Sequence, residues 1–215
     1  MRTKILAIVL ICLFLICCTA YRLHYDIALV DVERPEEAKE RYGERKIIRL
    51  EEAYYKYAFE DEMIKILWII HPTHLEFLMR NKTNHSIRIL WDEGAYVDES
   101  SISHRIIHGK VKFDDRTKSI PPGIVVREGI LIAEVLPADY ITDSKLIGSR
   151  INPLLPYEYK YFVRKKESDF KQFLEDSAEK VGKTIQLLLP LQIEGVIHDY
   201  IFIFKINDVE LAKEK

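Results

Sequence analysis

From Met63 onward the chain is a succession of short apolar, β-branched segments, each ended by a turn signal, and that pattern leaves few folds open. Ile64-Lys65-Ile66-Leu67-Trp68-Ile69-Ile70 stops at His71-Pro72. Leu75 to Asn81 follows, and the polar turn Asn81-Lys82-Thr83-Asn84 leads into Ser86 to Trp91. There Ile87, Ile89 and Trp91 alternate with Arg88 and Leu90, the period of two expected of a half-buried strand. Further strands are expected near 95–98, 103–108, 129–136 and 157–163, with Pro121-Pro122-Gly123 as a loop. The closing segments, 184–193 and 197–206, are joined near Glu194-Gly195. In the second of them Tyr200, Phe202, Phe204 and Ile206 share one face, while Ile201 and Ile203 make the other face apolar as well. Such a strand suits the middle of a sandwich or a position under a helix.

One helix is expected over 169–180. Phe170, Phe173, Leu174 and Ala178 form a stripe there, Ser168 can cap it and Gly182 can end it. Strands spaced by roughly 8–15 residues with little helix predict a mainly β fold, an immunoglobulin-like antiparallel β-sandwich with one or two short helices, over residues 63–215. Ahead of it, Ile27 to Val32 has strand character, and Pro35 to Gly43 has the Pro-first, Gly-last order of a short helix. Residues 27–62 are therefore expected to form an N-terminal extension or cap, and 18–26 a short tether.

The chain has three cysteines, Cys12, Cys17 and Cys18, all in its first 18 residues. Arg2 and Lys4 precede twelve uninterrupted apolar residues, Ile5 to Ile16. A basic start and an apolar centre of about 7–15 residues are the anatomy of a secretory signal, whereas a membrane span needs about 20. Residues 1–17 are expected to be that signal peptide. Its end, Leu15-Ile16-Cys17-Cys18, resembles the lipobox of bacterial lipoproteins, with Cys17 at the −1 position where Gly, Ala or Ser is usual. The resemblance implies that Cys18 is lipidated on its sulfur and becomes the new N-terminus. It also implies anchoring to a lipid bilayer of the bacterial cell envelope. Thr19 after Cys18 is not the Asp associated with inner-membrane retention in enteric bacteria, which favours the outer membrane where the host has one. Two other readings stay open: ordinary signal peptidase cleavage after Ala20, and an uncleaved short anchor. The body is also similar to uncharacterised envelope lipoproteins in the stretch Asn81 to Glu93, a likeness that implies no activity.

Removal of 17 residues would leave 198 of the 215, enough for a real core. It would also take two of the 32 basic residues, leaving 30 against 34 acidic ones and a net charge of −4. A mildly acidic, mixed surface argues against nucleic-acid partners, which call for a basic face. With no cysteine after Cys18, the body has neither disulfides nor thiol chemistry, so its stability must come from burial.

Catalytic patterns are missing. There is no Gly-x-Ser-x-Gly elbow, no Ser-x-x-Lys followed by its partner motifs, and no glycine-rich phosphate loop. Ser100 and Ser101 sit in an Asp98-Glu99-Ser100-Ser101 turn. The acid pairs Asp92/Glu93 and Asp114/Asp115 are adjacent, so on strands they point to opposite faces. His104 and His108 share a strand face but lie about 13 Å apart at about 3.3 Å per residue, too far to hold one ion. His71 and His74 fall in a loop near acids and are expected to be turn residues. No metal site and no cofactor is expected. Asn81-Lys82-Thr83 and Asn84-His85-Ser86 match a glycosylation pattern but are read as turns.

Tyr157, Tyr159 and Tyr161 would form a row on one strand face, able to stack a sugar or grip a partner protein, or simply to half-bury in the sheet. The expected role is a membrane-anchored, non-catalytic binding or scaffolding module for another envelope protein or glycan. The alternatives are a glycan- or small-ligand-binding domain using the Tyr face, and an unrecognised hydrolase.

Overall fold

The computed structural model describes residues 19–35, 42–50, 56–109, 111–144, 148–155, 160–162 and 174–213. Fifteen strands run through them. They are β1 (Thr19–Glu33), β2 (Lys46–Arg49), β3 (Tyr57–Glu60), β4 (Ile64–Ile70), β5 (Leu75–Asn81), β6 (Ile87–Ile89), β7 (Ala95–Val97), β8 (Ser103–His108), β9 (Gly123–Val125), β10 (Ile130–Pro137), β11 (Ile141–Ser144), β12 (Gly148–Ile151), β13 (Lys160–Phe162), β14 (Thr184–Ile193) and β15 (Val196–Lys213). The expected helix is represented by residues 174–178, here α1; its first half lies outside the described residues. The helix expected at 35–43 falls largely outside them as well.

All described strand pairs are antiparallel, and the order β13-β1-β15-β14-β7-β8-β10-β5-β4-β3-β2 makes one sheet, to which β6 adds on β14 and β9 on β6. The fold is mainly β, as the alternation predicts, and the sheet curls until it is nearly closed, as a barrel or sandwich. What curls it is the aromatic core. Trp68 of β4 packs 4.8 Å from Phe202 and 5.4 Å from Phe204 of β15, ring centre to ring centre, and Phe59 of β3 lies 5.8 Å from Phe202. These rings are fully buried. They join strands far apart in the sheet order, so the two halves face each other across one core. Full burial of each large apolar side chain contributes about 1.5–3 kcal/mol.

The expected hairpin at Glu194-Gly195 forms with both residues at positive φ, 52° and 82°, the backbone of a two-residue hairpin turn. β15 lies between β14 and β1 and buries Tyr200, Phe202, Phe204 and Ile206 completely, while Ile201 and Ile203 are half-buried on its other face.

The N-terminal third departs from expectation. Residues 19–26 are not a tether: they are the first half of β1, paired with β15 from Tyr21↔Lys213 to Asp26↔Asp208. Nor is 27–62 a separate cap, because β2, β3 and the rest of β1 are hydrogen-bonded into the main sheet. The strand expected at Ile27 to Val32 is the second half of β1; a register slip at Asp26/Ile27 separates it from the first half, and β2 and β3 are too short to display a period-two pattern. Among the described residues no helix is long and apolar enough to cross a membrane.

Candidate functional site

Among the described residues the curled sheet brings β1 up against β2 and β3 without pairing to them, and a pocket of about 650 Å³ opens at this seam. Among the described residues, β1 contributes His24, Tyr25, Asp26 and Ile27. The β2–β3 edge contributes Arg49, Leu50, Lys56 and Tyr57. The end of β4 supplies Ile69, Ile70 and His71, followed by Pro72, and Leu154, Leu155 and Ile185 complete the wall. The wall is amphipathic: eight apolar residues, from Ile27 to Ile185, stand beside seven polar or charged ones, His24, Tyr25, Asp26, Arg49, Lys56, Tyr57 and His71. Burial raises the hydroxyls of Tyr25 and Tyr57, so both stay protonated and able to donate at neutral pH. Arg49 and Lys56 place two cations on one side, with Asp26 opposing them in charge.

Beside the pocket, the β4–β5 hairpin turns through His71-Pro72-Thr73-His74. The backbone N–H of His71 donates to the carbonyl of His74 at 2.9 Å, so the two residues are held side by side. Their rings stack at 4.3 Å with 19° between planes. Glu76, two residues on and thus on the same face of β5, lies with its Oε2 3.1 Å from His71 Nε2. One candidate ligand atom from each of the three residues lies within 4.8 Å of the others. Burial, and then the neighbouring His71, hold His74 below the usual histidine range. The two histidines thus come together with an acid that sequence reading did not join to them. The signal was present as His-Pro-Thr-His-x-Glu: two histidines flanking a two-residue turn, then an acid two residues on.

Two other polar clusters answer to structure. Asp61, 2% exposed, accepts hydrogen bonds from the backbone N–H groups of Met63 and Ile64, from Arg34 at 2.9 Å and from the Tyr200 hydroxyl at 3.0 Å. Tyr42 meets His198 through its hydroxyl beside this group. In the second cluster His104 sits between Asp139 (2.8 Å) and Asp98 (3.3 Å). Burial pulls His104 down, but its hydrogen bonds to the two carboxylates outweigh this and hold it above the usual histidine value. Burial pushes Asp98 up, yet the N–H of Ile102, His104 and the N–H of Ser100 together hold it below the usual range.

The remaining expectations fall as follows. His104 and His108 lie on the extended β8, and His108 packs against Trp91 instead, at 5.5 Å. Asp92 serves the 113–120 loop through Arg105, Ser119 and the N–H of Ile120. Asn81 is fully buried, its amide donating to the carbonyls of His85 and Val125, which makes it the anchor of its turn. Cys18, Tyr157 and Tyr159 lie outside the described residues, and Tyr161 is placed only as backbone of β13, next to β1 at the end of the sheet order.

Comparison of the chain with protein-family models, with curated proteins and with solved structures gave no match.

Proposed function

We propose that the protein is a membrane-anchored envelope lipoprotein whose β-domain binds a small amphiphile without catalysis. The pocket at the seam carries this reading. The apolar part of its wall, with Ile27, Ile70, Leu155 and Ile185, suits an aliphatic or aromatic body, and Arg49 and Lys56 suit an acidic group. The lipobox-like Leu15-Ile16-Cys17-Cys18 supports the anchor. β1 begins at Thr19, immediately after Cys18, so an anchor there would hold the seam near the bilayer, where amphiphiles are concentrated.

Mass spectrometry on protein extracted from its own membrane tests the pocket. The expected result is a bound acidic amphiphile, lost when Ile185→Trp fills the cavity and depleted when Arg49→Glu and Lys56→Glu reverse its cations. The same small molecules in wild type and in the filled variant would overturn it. For the anchor, acyl labelling of Cys18→Ala should vanish; persistent labelling would remove Cys18 from its role.

A further inference from the structure

We propose that His71, His74 and Glu76 bind one divalent transition-metal ion of the zinc type at the end of the β4–β5 hairpin. The ion site stands beside the pocket but does not depend on the pocket being occupied.

Three observations carry it. The first is convergence. Zinc with ligands at about 2.0–2.2 Å in tetrahedral array wants donors a little over 3 Å apart. The His71 Nε2 and Glu76 Oε2 atoms already lie 3.1 Å apart, and all three donors are within 4.8 Å of one another. Side-chain rotation alone can close the remaining gap, because the backbone is already set.

The second is rigidity. The turn is closed by the His71 N–H to the His74 carbonyl, and its Pro72 carbonyl accepts from the N–H of Leu154 at 2.8 Å. The Thr73 hydroxyl, 3.1 Å from His74 Nδ1, steadies that ring from outside the donor set. Partners of this kind orient metal-binding histidines.

The third is charge. In the β5–β10 register Glu76 lies directly opposite Glu134, so two carboxyl groups face the same side on neighbouring strands. Like charges in that position are destabilising, and a bound dication offsets them. Two imidazoles with a carboxylate favour zinc, cobalt or nickel over calcium or magnesium. Three protein ligands leave one coordination position for water or a small molecule, and His71 is shared with the pocket wall.

The test uses the full chain in mild detergent, stripped with EDTA and titrated with zinc chloride by calorimetry. Cobalt absorption reports the geometry. The expected result is one ion per chain, with affinity falling about tenfold or more in both His74→Ala and Glu76→Gln. His85→Ala, on the exposed surface, should leave it unchanged. Glu76→Gln keeps the size of the side chain, so a folding failure of His74→Ala does not remove the test. Wild-type affinity weaker than about 1 mM, or variants binding as tightly as wild type, would overturn the proposal. Ile27→Trp should fill the pocket and leave zinc binding intact, so failure of the amphiphile reading and failure of this one are read separately.

Discussion

Asp61 and Glu76 are both carboxylates beside ring side chains, yet their surroundings differ in kind. Asp61 is out of water and receives donors from Arg34, Tyr200 and two backbone amides, so its lone pairs are spoken for. Glu76 is half-buried, meets one imidazole, and faces another carboxylate across the sheet. Saturation with donors marks a group that holds the fold together; a gathering of acceptors on a fixed turn marks one poised to receive a cation. The burial of the first explains why it can be so fully partnered, since an unpaired buried charge is costly.

Substitution at Asp61 should break the first side of this comparison most severely. Asp61→Asn leaves the Arg34 guanidinium, itself only 9% exposed, without its counter-charge, and should lower unfolding free energy by about 3–5 kcal/mol in denaturant titration. Tyr200→Phe removes one donor from the same carboxylate and should cost about 1.5–3 kcal/mol by that measurement.

The His104 cluster should add a pH dependence that neither of the others requires. His104 is raised on folding, so its contribution is complete below the free-histidine value near 6.5 and fades as pH rises through the higher folded value. Asp98 is lowered, so its contribution is present above the free-aspartate value near 3.9 and is lost as pH falls through the lower folded one. Thermal unfolding followed from mildly acidic to alkaline pH should show a decline attributable to His104, and His104→Gln should flatten it. The smallest effect belongs to Glu76. Without metal, Glu76→Gln should change stability by under about 1 kcal/mol, because it relieves a like-charge pair while weakening, not removing, one part-buried contact to His71. A large loss there would place Glu76 with Asp61 and dissolve the distinction.

Legibility from sequence followed how local the forces are. β4, β5, β8, β10 and the β14–β15 hairpin are regular enough for alternation and turn chemistry to reveal them. Of β1 only Ile27 to Val32 was legible; its first half lies beyond a register slip at Asp26/Ile27, and β2 and β3 were hidden by their four-residue length. Within the candidate site, His71 and His74 were visible as a pair, but their union with Glu76 depends on a turn closing on itself. The pocket has no local signature at all, because segments near residues 25, 50, 57, 70, 155 and 185 meet only after the sheet curls.

The β1–β15 ribbon has a mechanical meaning. Its ladder begins with Tyr21 against Lys213 and runs to Glu33 against Ile201, with hydrogen bonds lying across the strands. A chain held at Cys18 and pulled through its body along that axis loads the whole ladder in shear, many bonds at once, rather than peeling them one by one. The strand nearest the proposed anchor is thus also arranged to bear tension along its length.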